Sequence, residues 1–226
     1  MTIRYLYGKR EYLSGLISGK RLPRLSDISH YKRIENESMR DEEEQKSFKL
    51  DKEDVKIKIN GFDINSSDLY DHPTMSVPVR HCYCVCFSKR KNDAELFKIF
   101  KADVCVEINL DILKNEMDSI LNDDYPGSEV IFRDIQYYHE FQLLFEKNSS
   151  DLVFYKPITF IHEQETRLAF FYPLQKQGFK GMNGEVMPFR KEGGSLHIEM
   201  HITGEDPDLK SRCVTGVHFL NAAFNE

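Results

Sequence analysis

The sequence predicts an α+β fold on a largely antiparallel sheet, and three patterns carry that expectation. Helical spacing of apolar residues is concentrated in the first two thirds of the chain. The last third is strand-like runs cut by glycine-bearing turns. Between two alternating stretches sits Asn60-Gly61, the mark of a tight antiparallel hairpin. Segregation of that kind favours α+β over a doubly wound parallel sheet. With 226 residues, 40% of them hydrophobic, the chain can close one core. Residues 1–226 are therefore expected to form a single domain, with 34–54 a charged helix and connection and 173–226 a strand-rich C-terminal part.

In order, Ile3 to Tyr7 predicts a strand, and Tyr12, Leu13, Leu16 and Ile17 one face of a helix stopped near Gly19. Ser26 or Asp27 caps a second, mostly solvent-facing helix running through Arg40. Val55 to Ile59 and Phe62 to Ile64 flank the hairpin turn. Val79 to Phe87 predicts an apolar strand, Asp93 to Lys101 a helix and Val104 to Ile108 a strand. Asn109 caps a helix carrying Leu110, Leu113, Met117, Ile120 and Leu121. Val130 to Tyr137 is strand again, and His139 to Phe154 holds a short helix. Thr166 to Tyr172, Glu185 to Arg190, Leu196 to Ile202 and Val214 to Leu220 complete the strands.

Composition narrows the function. The net charge of -6 disfavours broad electrostatic binding of nucleic acid, yet the charge is unevenly placed. Arg4, Lys9, Arg10, Lys20, Arg21, Arg24, Lys32 and Arg33 face only Glu11 and Asp27 within residues 1–33, and residues 34–54 then turn acidic. That pattern is either a solvated helix with a charged connection or a basic face for a polyanion or a pyrophosphate. Five cysteines, three of them in Cys82-Tyr83-Cys84-Val85-Cys86, argue for a reducing compartment and no disulfide framework. Alternate strand residues lie about 6.7 Å apart, too far to share one zinc at about 2.3 Å without bending the backbone, so these thiols read as small buried hydrophobes. There is no membrane-length apolar run and no secretory layout, so the expected location is the cytoplasm, away from membranes. Phosphate-loop, dinucleotide, nucleophile-elbow and zinc-helix motifs are absent.

The segment that most suggests chemistry is His162-Glu163-Gln164-Glu165-Thr166-Arg167. In an extended strand Glu163 and Glu165 share a face, where burial or repulsion raises one carboxyl and Arg167 lowers it. One could stabilise a cationic sugar while the other takes a proton from a nucleophile. The competing reading is a polar edge strand with a surface Glu165–Arg167 pair.

These residues resemble the Arg-Ser-Glu layout of ADP-ribosyltransferases. Arg4 in Ile3-Arg4-Tyr5 matches the first-strand position that in that family grips NAD, Ser88 in Cys86-Phe87-Ser88 the central serine, and Glu165 the catalytic glutamate, with Glu163 two residues before it helping to choose the acceptor. Lys89-Arg90 stand where that family has Thr-Ser. The chain is also similar, over roughly 3–172, to a bacterial domain family that includes abortive-infection proteins of the AbiGi type. That similarity runs through Phe87-Ser88, Asn92-Asp93, Leu96-Phe97, Phe100, Cys105-Val106-Glu107-Ile108 and Glu163-x-Glu165-x-Arg167-Leu168. The resemblance implies an ADP-ribosyltransferase-like fold and NAD as co-substrate, with Arg4, Tyr5, Ser88 and Tyr31 as cofactor-binding candidates. Lys89, Arg90 and Arg40 are the substrate-binding candidates, and a phage-defence toxin modifying nucleic acid or protein is the implied role. Two alternatives stand beside it: a non-catalytic antitoxin or interaction module of the same fold, and a metal-dependent nuclease, for which His197, Glu199 and His201 on one strand face are the nearest donors.

Overall fold

The computed structural model describes residues 1–33, 43–144, 146–191, 194, 196–202 and 212–220. They form a mixed α/β architecture with mostly antiparallel sheets and few helices. Strand β1 (Ile3–Gly8) runs into α1 (Arg10–Ile17), whose Leu13, Leu16 and Ile17 turn toward the core. Next come β2 (Leu25–Asp27) and a 3-10 turn over Ile28–Arg33 in place of the expected capped helix. Asp27 does act as a cap, its Oδ1 accepting the Ser29 N–H at 2.7 Å, but the described turn that follows is 3-10 and buries Ile28 instead of running as a solvent-facing α-helix. The rest of that expected helix, Arg40 included, lies outside the described residues.

Strand β3 (Gln45–Lys49) pairs with β6 (Thr74–Pro78). Between them in sequence is the hairpin of β4 (Ile57–Ile59) and β5 (Phe62–Ile64), turning at Asn60 (φ 52°) and Gly61 (φ 87°). Two successive positive φ angles are what a type I′ turn requires. Then follow β7 (Tyr83–Ser88), α2 (Ala94–Ile99), β8 (Val104–Asn109) and α3 (Leu110–Asp124). Asp93 caps α2 through the Glu95 and Leu96 N–H groups, and Asn109 caps α3 through those of Asp111 and Ile112. The described chain continues with β9 (Glu129–Asp134), β10 (Gln136–Tyr138), β11 (Tyr155–Pro157), β12 (Glu165–Phe171), the pair β13 (Gly178–Lys180) and β14 (Val186–Pro188), β15 (His197–Ile198) and β16 (Val214–Phe219). Helices are not concentrated N-terminally, contrary to the sequence pattern. Two α-helices lie mid-chain, 3-10 turns at Asp151–Phe154 and Ile158–Glu163 come late, and much of the early chain is strand.

Eight strands make the main sheet, in the order β15-β2-β7-β1-β8-β16, with β12 beside β7 and β9 beyond β12. Along one edge β7 pairs with β12 from Tyr83 to Ser88. Its other edge is divided: β2 takes Tyr83 and Cys84, and β1 meets it only at Ser88. Between those contacts the sheet splits, and Val85, Cys86 and Phe87 have no strand partner on that side among the described residues.

Helix α3 buries Leu110, Leu113, Met117 and Leu121, at helical spacing, against one face through Leu6, Val85, Val106 and Phe170. The opposite face carries Cys82, Cys84, Ala169 and Phe171 against Ile28 and Phe154, and, farther along, Cys105 with Phe97. None of the five cysteines is in a disulfide. No helix among the described residues is long and apolar enough to cross a membrane.

Candidate active site at the split in the sheet

The split opens into a cavity of about 710 Å³, walled by β1, α1 and the segment before β2, with β7 beneath it. Tyr5 pairs with Ser88, and Ser88 with Glu165, so the three stand in one row across β1, β7 and β12. Residues in such a row share a face, with Cα atoms of neighbours about 4.5–5.5 Å apart. All three line the cavity, as do Tyr31 and Glu163.

Strand alternation does not bring Glu163 there. It ends the 3-10 turn Ile158–Glu163, and Gln164 takes the left-handed conformation at φ 45° before β12 begins. The reversal folds Glu163 back over Glu165, and Lys156 Nζ of β11 bonds both carboxylates, at 2.7 and 3.1 Å. The Ser88 hydroxyl fastens the turn by donating to the Glu163 carbonyl at 2.7 Å.

Glu165 is equally confined. Arg167 Nε donates to its Oε1 at 2.9 Å, and the rest of that guanidinium makes a two-pronged contact with Glu43, at 2.6 and 2.8 Å. Lys46 then closes on Glu43 at 2.6 Å. Three carboxyls and three cations thus form one continuous buried network, with Arg167 1% and Glu165 2% exposed. The surface ion pair of the competing reading is therefore a core one. Strand β12 is flanked by β7 on one side and β9 on the other, and charges so enclosed persist only when paired. The acidic stretch likewise is not wholly a solvated connection, since Glu43 is buried by its bond to Arg167.

The two neighbouring carboxyls are displaced in opposite directions. Burial pushes Glu163 up to about 7 against the pull of Lys156. Burial also penalises Glu165, but Arg167 and Lys156 outweigh it and hold this group down to about 2. Burial likewise works against the charge on Lys156, yet the two glutamates keep it firmly protonated. A group able to exchange a proton at neutral pH thus stands beside a permanent anion, the arrangement that divides acid–base work from electrostatic work. Tyr31 completes this wall, its hydroxyl accepting the Cys86 thiol at 3.1 Å and its ring 5.8 Å from the Arg167 guanidinium carbon.

Arg4 is not part of this group. It precedes Tyr5 by one residue and so lies on the α3 face, where its Nε donates to Thr166 Oγ1 at 2.7 Å and its Nη2 to Asp134 at 3.0 Å. Lys89 joins the same cluster, 2.8 Å from Asp134. Arg90 ties Asp93 and Glu95 to the His162 carbonyl. Lys89 and Arg90 both stand outside the cavity lining.

Lys156, Glu43 and Lys46 were not singled out from sequence. The one hint for Lys156 is a lone cation in the apolar run Phe154-Tyr155-Lys156-Pro157. His197 and His201 both approach Glu199, at 4.0 and 3.4 Å. Among the described residues no group of three or more histidine, cysteine or acidic side chains is arranged to hold a metal ion. No protein-family model, curated protein or solved structure matches the chain.

Proposed function

We propose that the cleft is the active site of an NAD-dependent ADP-ribosyltransferase on an ADP-ribosyltransferase-like fold, with NAD consumed as co-substrate. The observation that carries this reading is the row Tyr5, Ser88, Glu165 at the floor of a split sheet, with Glu163 folded back beside it. The cavity suits such a ligand. Its volume falls within the roughly 300–1,000 Å³ of small-molecule sites, and Tyr5, Tyr7 and Tyr31, which line it, offer faces for the nicotinamide ring.

In this reading Glu165, ionised between Arg167 and Lys156, offsets the positive charge that develops on the ribose as its bond to nicotinamide breaks and the electron pair leaves with the ring. Glu163 accepts the proton released when the acceptor's nucleophilic atom bonds to that carbon, a role suited to a carboxyl that is partly ionised near neutral pH. Ser88 and Lys156 hold the two carboxyl-bearing segments together. The resemblance to abortive-infection proteins adds a cytoplasmic defence toxin restrained by a partner as the biological setting.

Calorimetric titration with NAD tests the binding half of this proposal. Saturable binding in the micromolar to millimolar range, weakened at least fivefold by Tyr5→Ala and unchanged by Arg4→Ala, is expected. No binding at millimolar NAD, or equal loss in both variants, would overturn the assignment.

A further inference from the structure

Three cations of the basic N-terminal run, Lys9, Arg21 and Arg24, line the cavity. Tyr12, on α1, lines the cavity and is 67% exposed. Arg24, also lining the cavity, is exposed and makes no hydrogen bond or ion pair with any described residue. Lys9, at the start of α1, has only Asp103 at 4.0 Å. Arg21 is different, since it is held by Glu199 at 3.5 Å and by the Tyr12 carbonyl. The cavity lining thus brings together an exposed tyrosine ring, Arg24, which has no partner among the described residues, and Lys9, which has only its long contact to Asp103, with Glu163 and Glu165 in the same lining.

We infer that this part of the lining binds single-stranded nucleic acid, which is the acceptor of the reaction. A solvent-facing tyrosine provides a platform on which any base can stack, and flanking cations follow the phosphates. Duplex would not fit this feature, because its bases have no free face to offer. The net charge of -6 leaves room for such a site, because binding follows the local charge and Lys9, Arg21 and Arg24 line the cavity together, with Glu199 among them.

The inference rests on the transferase reading for what the bound strand is used for, but its test does not. Fluorescence anisotropy is measured without NAD on labelled oligothymidine and oligouridine of about fifteen nucleotides, a length near the upper site size of such grooves. Micromolar binding at low salt is expected, with duplex of the same length several-fold weaker. Tyr12→Ala should weaken binding about tenfold, as loss of one stacked base does, and Tyr12→Phe should restore it. Arg24→Ala should flatten the plot of log K against log salt by about 0.7, the contribution of one phosphate contact on a single strand. Both side chains are exposed, so neither variant threatens the fold. Absence of binding at 100 µM protein (roughly the weak limit for non-specific contact), or binding indifferent to Tyr12 and Arg24, would overturn the inference. Oligonucleotide binding by a protein that releases no nicotinamide from NAD would sink the transferase reading alone. Nicotinamide release with protein rather than oligonucleotide modified would sink this inference alone.

Discussion

Replacing Glu163 with glutamine should change how stability depends on pH, by an amount the structure sets. Glu163 is 5% exposed, and its carboxyl rises from the ordinary 4.5 to about 7. Between those values the folded chain keeps a proton that the unfolded chain has released. Stability contributed by this group is therefore full below about 4.5 and is lost as pH climbs through 7. The displacement corresponds to roughly 3 kcal/mol. Glutamine has the shape of the protonated acid and no proton to lose. The difference in unfolding free energy, variant minus wild type, should thus rise by about 3 kcal/mol between pH 4.5 and 8. Histidines and the remaining carboxyls titrate in both proteins and largely cancel. Urea denaturation at half-unit pH steps measures this difference directly. Parallel stability curves, with a difference constant to within about 0.5 kcal/mol, a precision within reach of linear extrapolation, would refute the claim that burial, rather than Lys156, governs this carboxyl.

Glu43→Ala strands the Arg167 guanidinium in the core and should lower stability by about 3–5 kcal/mol, the usual result of removing one partner of a buried pair; chemical denaturation checks it. Arg4→Ala breaks its bonds to Thr166 and Asp134 and should cost about 1–3 kcal/mol while leaving ligand affinity at the cleft unchanged by calorimetry. Asn109→Ala removes the cap of α3 and should cost about 1 kcal/mol, read as a drop in melting temperature with no change in cleft binding. If transfer proceeds as proposed, its rate should fall on the acid side as Glu163 takes up its proton near pH 7. That limb should vanish in Glu163→Gln, which a pH–rate profile would show.

Elements governed by neighbours in sequence were the ones legible beforehand. The Asn60-Gly61 turn, the Asn109 cap with its apolar ladder, and β12 as a hydrophobic run all depend on local backbone preference. The site was half legible. Ser88 and Glu165 could be paired by motif, but the position on β1 depends on strand register, and a one-residue step turns the side chain to the other face. That step separates Arg4, bonded on the α3 side, from Tyr5 in the cleft. Glu163 was expected on the strand with Glu165, and what defeats that expectation is a single left-handed residue, Gln164, a conformation its sequence does not announce. The buried cations were out of reach for another reason. Glu43 and Arg167 are 124 residues apart, and nothing in either neighbourhood points to the other.

The central claim is that Glu165, at the split in the sheet, carries a group-transfer reaction on NAD. Its most direct test is nicotinamide release from NAD by the purified full chain, compared with Glu165→Gln. Time-dependent release by wild type, reduced at least a hundredfold in the variant although both proteins fold, is the predicted result, a size typical of losing one electrostatic stabiliser of the transition state, about 10²–10³. Absence of release by wild type at millimolar NAD with oligonucleotide supplied, or equal release by both proteins, would contradict it.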